Sequence, residues 1–237
     1  MKDTGSGRLA ILAGRGELPW IAAREALARG EQDLRIFCIS DEEPPEDLRD
    51  FAEPVVLTRL YSSVFRSFRR HGIKRLLLLG KATRDILYNK PRFDVRTVLL
   101  LARMLSQSDY ALFENVAREV DKLGITIINQ DEYLQHLFLQ PGRYGKKLTT
   151  EQLKDIEFGL QHAREMNRLD IGQTVVVGKR SVLAVEAAEG TDQCIVRGGD
   201  LFHNKGAVVC KLSKEQHDLR FDIPATGSAT LDSMARS

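Results

Sequence analysis

The chain has 237 residues, 43% hydrophobic and 29% charged, a balance ordinary for a soluble globular protein and enough length for one large domain or two small ones. Its 35 basic and 33 acidic residues leave a net charge of +2, too little for a nucleic-acid footprint, so no nucleic-acid partner is expected. The longest apolar runs, LLLL at 76–79 and VLLLARML at 98–105, fall well short of the roughly 20 residues that cross a bilayer.

After a polar MKDTGS, RLAILA predicts a buried strand that ends at Gly14-Arg15-Gly16, and LPWIAAREAL at 18–27 predicts a helix with Pro19 in its first turn, where a missing donor is harmless. LRIFCIS is a second strand and VVL at 55–57 a third, short one. LYSSVFRSFRRHG is a helix stopped by Gly72, and KRLLLLG is a strand ending at Gly80. Two further helices, about 94–105 and 110–123, lead into ITIINQ, the last strand. Strands alternating with helices predict a parallel α/β sheet over residues 1–140.

QPGRYGKKLT carries one proline, two glycines and three cations with little to bury, and marks a linker or active-site loop; the linker is placed at 141–149 and a second domain at 150–237. There a helix from Thr150-Glu151 to about Arg168 sets Ile156, Leu160, Ala163 and Met166 on one face. TVVV and VLAV flank Gly178-Lys179-Arg180-Ser181 as a hairpin, and AVVCKL at 207–212 is one more strand. Cys38, Cys194 and Cys210 show no CxxC spacing and no secretory leader precedes them, which predicts a reducing, cytoplasmic setting.

Chemistry-bearing residues gather at turns. LAGRGELP has the first two glycines of a dinucleotide fingerprint, Gly14 and Gly16, with Pro19 in place of the third. Such glycines let a backbone approach a phosphate at a helix N-terminus, and they equally serve a tight turn for its dihedrals alone. Asp41, after the second strand, adds some weight to a ribose-binding reading. Gly80 closes the LLLL strand, and Lys81 and Arg84 beyond it either meet a phosphate or stay solvated. The basic run RSFRRHGIKR at 66–75 is read as a solvated helix end favoured by the dipole rather than as a membrane-surface patch.

Glu189-Gly190-Thr191-Asp192 follows the hairpin directly. Carboxylates at a turn can hold Mg²⁺ while a hydroxyl and amides meet phosphate oxygens, although capping of a short helix through DQCIV by Thr191 or Asp192 is the commoner use of such residues. Asp222, in RFDIPATG, is a turn-former or a group aimed into a cleft, and composition does not decide. The five histidines show no HxH or HExxH spacing, and neither a G-x-S-x-G elbow nor a Walker motif occurs. What remains suits metal-assisted attack of water on a phosphoanhydride.

Taken in order, LAGRGELP, LLLLGKATR, LDIGQTVVV, VLAVEAAEGTD and FDIPATG resemble the UDP-2,3-diacylglucosamine pyrophosphatase family of the LpxI type, from Arg8 onward. The resemblance implies a Rossmann-like N-terminal domain with a parallel sheet and a smaller α/β C-terminal catalytic domain that enclose the substrate. It also implies Mg²⁺-dependent hydrolysis of UDP-2,3-diacylglucosamine to 2,3-diacylglucosamine 1-phosphate (lipid X) and UMP in lipid A biosynthesis. The essential aspartate of the family's Asp-x-Pro motif corresponds to Asp222. Glu189 and Asp192 are then its expected partners in holding metal or water, with Thr191, Gly14, Gly16, Gly80, Lys81 and Arg84 as substrate donors.

Two acyl chains on the substrate make peripheral contact with the inner membrane an expectation, and a homo-oligomer stays open. Family members continue some tens of residues beyond the Asp-x-Pro motif, so the C-terminal sheet is expected to be incomplete, with an unpaired edge. The alternatives are a nucleotide-sugar or dinucleotide-binding module without hydrolytic activity, and a Rossmann-type oxidoreductase, which the absent third glycine disfavours.

Overall fold

The computed structural model describes residues 7–55, 60–80, 117–203, 206–213, 218–221 and 225–237. It divides into two compact units. One runs to Leu139 and takes in the short stretch from Leu219; the other starts at Gln140 and includes the C-terminal residues to Ser237.

The first unit is built from β1 (Arg8–Ala13), α1 (Leu18–Ala28), β2 (Arg35–Cys38), β3 (Ala52–Pro54), α2 (Leu60–Arg70), β4 (Ile73–Leu79) and β5 (Thr126–Ile127). All pairings are parallel and the strand order is β3-β2-β1-β4-β5. The apolar runs on β1, β2 and β4 follow from burial on both faces of a parallel sheet. Leu9, Ile11, Ile36, Phe37, Leu76 and Leu77 are all closed to solvent. Phe68 of α2 meets Phe37 edge-on, ring centroids 5.0 Å apart, at the centre of a cluster that also takes in Val120, Ile125 and Phe221.

Expectation and structure differ at the margins. The third strand lies at Ala52–Pro54, ahead of the expected VVL, because the edge position tolerates Pro54's missing donor and the Val55 amide then closes onto the Cys38 carbonyl at 2.8 Å. Positions 56 and 57 lie outside the described residues, as does the helix expected at 94–105; of the one expected at 110–123, residues 117–121 are described and helical. ITIINQ pairs only through Thr126 and Ile127 before a 3-10 turn over Gln130–Tyr133.

The second unit holds α3 (Thr150–Arg168), β6 (Thr174–Gly178), β7 (Ser181–Val185), α4 (Thr191–Leu201), β8 (Val208–Lys211) and α5 (Ser228–Arg236). Thr149 opens α3 with a capping box, its hydroxyl accepting from the Gln152 amide while the Gln152 side chain accepts from the Thr149 amide. The sheet is antiparallel, ordered β7-β6-β8. Every residue of β6 is buried because both its faces are covered: Val175 and Val177 pack with Ala163 of α3, Val176 with Cys194 and Ile195 of α4. That explains an unbroken TVVV in an antiparallel hairpin, where one solvated face would demand alternation.

Lys179 and Arg180 take up the hairpin turn with φ of +50° and +57°, normally the place of Asn-Gly. The buried Asp155 carboxylate of α3 holds both turn amides, at 3.0 and 2.6 Å, and so compensates for the strained pair. Gly198 lies mid-helix in α4, where glycine is otherwise about 1 kcal/mol worse than alanine; a Cβ there would stand 2.6 Å from the Val176 side chain. Helix α5 forms from SATLDSMARS, a stretch without a helical apolar pattern. Met234 packs it onto the Ile195 cluster, and Ser237 reaches Gly199 of α4.

Candidate functional site

In the first unit, β1 and β4 are neighbours while the chain leaves them toward opposite sides of the sheet, so their carboxyl ends form the switch point where open α/β sheets take ligands. Gly14 and Gly80 close these two strands, and the turns touch. Gly80 has φ +90°, its Cβ would lie 2.6 Å from the Gly14 carbonyl carbon, and the Gly14 amide bonds the Leu79 carbonyl at 2.7 Å. Only glycine fits position 80 on both counts.

The Gly16 amide donates to the Glu42 carboxylate at 2.9 Å, and Arg15 holds Asp41 at 2.6 Å. Arg15 thereby keeps the Asp41 carboxyl below its ordinary value. Asp41 is thus an ion-pair partner of the turn in this structure, not a free ribose acceptor, and a phosphate on Gly16 must displace Glu42. Lys81 and Arg84 lie outside the described residues.

The second unit concentrates its polar side chains at one end of its sheet. Register places Thr174, the first residue of β6, opposite Lys211, the last of β8, while β7 leaves the sheet through Glu186 and α4 begins at Thr191. Thr191 is the hub. Its hydroxyl donates to Glu186 Oε1 at 2.8 Å and accepts from Lys211 Nζ at 3.1 Å; with its one hydrogen committed to Glu186, the 3.4 Å contact with Thr174 requires Thr174 as donor. Lys211 Nζ also donates to the Ala225 carbonyl at 3.2 Å. The other Glu186 oxygen, Oε2, and Asp192 Oδ1 are both buried with no hydrogen-bond partner among the described residues. Carboxylate oxygens left unbonded in a folded core are costly, and a cation or a hydrogen-bond donor would satisfy either one.

Neither Thr191 nor Asp192 caps α4. The cap is Gly190, with φ +85° and no side-chain bond, which leaves Thr191 free to act as a bridge between strands. Glu189 stands apart from the hub: Arg197 binds its Oε1 at 2.5 Å and the Ala187 amide its Oε2 at 3.1 Å. Bonding by its own backbone amide, then by Arg197, holds its carboxyl below the ordinary value. Both of its oxygens are committed, whereas Glu186 Oε2 and Asp192 Oδ1 have no partner among the described residues. Asp222 lies outside the described residues.

Sequence reading missed Glu186 and Lys211. Glu186 was visible as the carboxylate that ends VLAVE one step beyond the strand, whereas Lys211 at the end of VVCK carries no signal until the β6–β8 register is known. Among the described residues no three acidic, histidine or cysteine side chains converge on one point. The three cysteines are buried thiols; burial pushes Cys194 and Cys210 up to about 11, which leaves them protonated at neutral pH and poor metal ligands.

The two units correspond to two known domains. Residues 8–137 match the LpxI N-terminal domain and residues 140–237 the LpxI C-terminal domain. A similar protein is UDP-2,3-diacylglucosamine pyrophosphatase LpxI of Caulobacter vibrioides (strain ATCC 19089 / CIP 103742 / CB 15), 32% identical over 251 aligned residues that cover 97% of this chain and 85% of that one. With both domains matched in order along nearly its whole length, the chain belongs to the LpxI family.

Proposed function

We propose that this protein hydrolyses the diphosphate of UDP-2,3-diacylglucosamine, the activity for which its Caulobacter relative is named, and that it releases UMP and 2,3-diacylglucosamine 1-phosphate. The observation that carries the reading is the Thr191 hub, in which a lysine, a hydroxyl and the Glu186 carboxylate meet at the start of a helix whose next residue, Asp192, also has a buried oxygen without a partner among the described residues.

Each residue has a task. Lys211 and the first amides of α4 receive charge as it develops on the leaving phosphate, helped by the positive end of the helix. Thr191 positions Lys211 against Glu186. A carboxylate, Glu186 or Asp222, orients the attacking water and takes its proton. The glycine turns Gly14-Gly16 and Gly80 serve the nucleotide, with Lys81 and Arg84 as candidate donors.

A hard cation fits the donor set, since the two orphaned atoms are carboxylate oxygens and the described residues bring neither sulfur nor imidazole to the hub. Glu186 and Asp192 would hold Mg²⁺, and Asp222, three residues along the chain from Ala225, is the third candidate. When bound, the metal would neutralise diphosphate charge and polarise its phosphorus–oxygen bonds.

The test is UMP release from UDP-2,3-diacylglucosamine in mixed micelles, with Mg²⁺ and with EDTA, for the wild-type chain and Lys211→Met. Metal-dependent release that falls by about 10²–10³-fold in the variant is expected. A chain that is folded by circular dichroism yet releases no UMP refutes the reading.

A further inference from the structure

Gly172-Gln173-Thr174 leads from α3 into β6 and meets each strand end that carries the hub. The Thr174 carbonyl accepts from the Glu186 amide at 2.9 Å, and the Thr174 hydroxyl makes its long 3.4 Å contact with Thr191. The Gln173 carbonyl accepts from the Leu212 amide at 2.9 Å, one residue past Lys211. This stretch is anchored in turn to α3. The Ile171 amide bonds the Met166 carbonyl at 3.2 Å, and Asn167 Nδ2 donates to the carbonyls of Leu212 and Ser213 at 3.2 and 3.0 Å. Helix, tripeptide and the ends of β7 and β8 thus form one bonded frame around Glu186 and Lys211.

Gly172 shows how close that frame is. A Cβ at this position would overlap the Glu186 carbonyl oxygen and stand 2.8 Å from its carbon. Gly172 does not have a positive φ, so the position demands glycine for space and not for conformation. What a methyl group would meet is backbone, with no flexible side-chain tip to give way. Atoms in ordinary contact stand about 3.5–4.0 Å apart, so the Glu186 backbone would have to move by about 1 Å. The side chain that starts from that backbone accepts the Thr191 hydroxyl at 2.8 Å, and a shift of this size breaks or bends the bond.

We infer that Gly172-Gln173-Thr174 is the positioning element of the hub: Gly172 sets the place of Glu186 by having no side chain, the Gln173 carbonyl fixes the strand end beside Lys211, and Thr174 holds both the Glu186 backbone and the Thr191 hydroxyl. The three act through Glu186, Thr191 and Lys211. The catalytic consequence rests on the proposed function, whereas the positioning stands on the contacts alone. Thr174 is fully buried, so the competing account is that it only fills space, and the two accounts order its variants oppositely.

The experiment compares Gly172→Ala, Thr174→Val and Thr174→Ser with the wild-type full chain, reading kcat and KM for UMP release with Mg²⁺ and, separately, amide hydrogen exchange at Glu186 and Leu212. A misplacement of about 1 Å can cost about 10²-fold in rate, so Gly172→Ala should lose about that much in kcat while KM changes far less. Its Glu186 amide should exchange about tenfold faster or more, with exchange in α3 unchanged as the sign that the unit is folded. Thr174→Val keeps the buried volume and loses the hydroxyl; Thr174→Ser keeps the hydroxyl and leaves a methyl-sized void. Positioning predicts that the valine variant turns over about tenfold more slowly, the worth of one hydrogen bond, and that the serine variant stays close to wild type. A space-filling role predicts the reverse order, which keeps the inference exposed even if Gly172→Ala does not fold. Wild-type kcat in Gly172→Ala, a serine variant no better than the valine one, or unchanged exchange at Glu186 overturns the inference. A wild-type chain that releases no UMP refutes the proposed reaction instead, and exchange at Glu186 then decides the positioning by itself.

Discussion

Arg75 in the middle of the first unit gives the sharpest test of what holds that unit together. It sits on β4 with its side chain 9% exposed and grips Glu31 through NH2 at 2.7 and 2.6 Å; the Tyr133 hydroxyl donates to the same carboxylate at 2.8 Å, and Arg75 Nε donates to the Gly7 carbonyl at 3.1 Å. Removing one partner of a buried pair costs about 3–5 kcal/mol; because Glu31 keeps 24% of its exposure, Arg75→Met should cost about 3 kcal/mol, the low end. The double variant Glu31→Gln/Arg75→Met should regain at least half of that, since no buried charge is then stranded. Trp20, the sole tryptophan, is buried in α1 of this unit, so its fluorescence in urea reports the unit's unfolding alone. Burial raises the Glu31 carboxyl, and bonds from Arg75 and Tyr133 more than offset this, leaving it below the ordinary value. Its stabilisation is therefore complete above the unfolded carboxylate range, about pH 4, and is lost as pH falls through the lower folded value. Tyr133 works in the opposite sense: burial, then its bond to Glu31, pushes it from 10.0 up to about 12, so its share persists below pH 10 and disappears as pH rises through 12. A single variant as stable as wild type at pH 7, or a double variant no better than the single, would refute the argument.

Three further perturbations probe the second unit and the glycine turn. Asp155→Ala strips the hairpin turn of the carboxylate that holds both its amides and should destabilise the second unit by about 1.5–3 kcal/mol, seen as faster amide exchange in β6 and β7. Gly80→Ala sets a side chain against the Gly14 backbone at φ +90° and should cost about 1–3 kcal/mol in the Trp20 urea curve. Glu186→Gln and Glu189→Gln separate the two carboxylates of VEAAEG: the first should cut UMP release about 10²-fold or more and the second far less, because Glu189 is already paired with Arg197.

The parallel sheet was legible because its strands are continuous apolar runs ended by glycine, and those same glycines located the switch point. β3 was displaced because an edge strand needs little apolar signal, only a tolerable place for Pro54. Helix α5 was hidden because SATLDSMARS offers one strong apolar anchor, Met234, and depends on Gly199 for the close approach of Ser237. At the turn after the hairpin, the glutamate of EGTD is already paired with Arg197, while Glu186, three residues earlier, bonds Thr191. A sequence shows which carboxylates exist and not which are already partnered; Arg197, one helical stretch away, settles that for Glu189. Lys211 enters only through antiparallel register with Thr174, a contact across 37 positions that no local pattern announces.

The charges of the hub lead to a final expectation about metal removal. Glu186 and Lys211 both bond Thr191, Asp192 follows it in the chain, and the helix start contributes only about half a positive charge, so negative charge outweighs positive there before any substrate arrives. A diphosphate brings further negative charge into a partly desolvated site, where like charges repel more strongly than in water. Chelation should therefore weaken binding as well as turnover, so that a non-hydrolysable diphosphate analogue loses affinity in EDTA. Glu186→Gln, which removes one negative charge, should narrow that gap. A calorimetric titration reads both effects without any reaction taking place. If the analogue binds equally with and without Mg²⁺ and the glutamine variant changes nothing, the hub does not receive the diphosphate, and the role given to Lys211 falls with it.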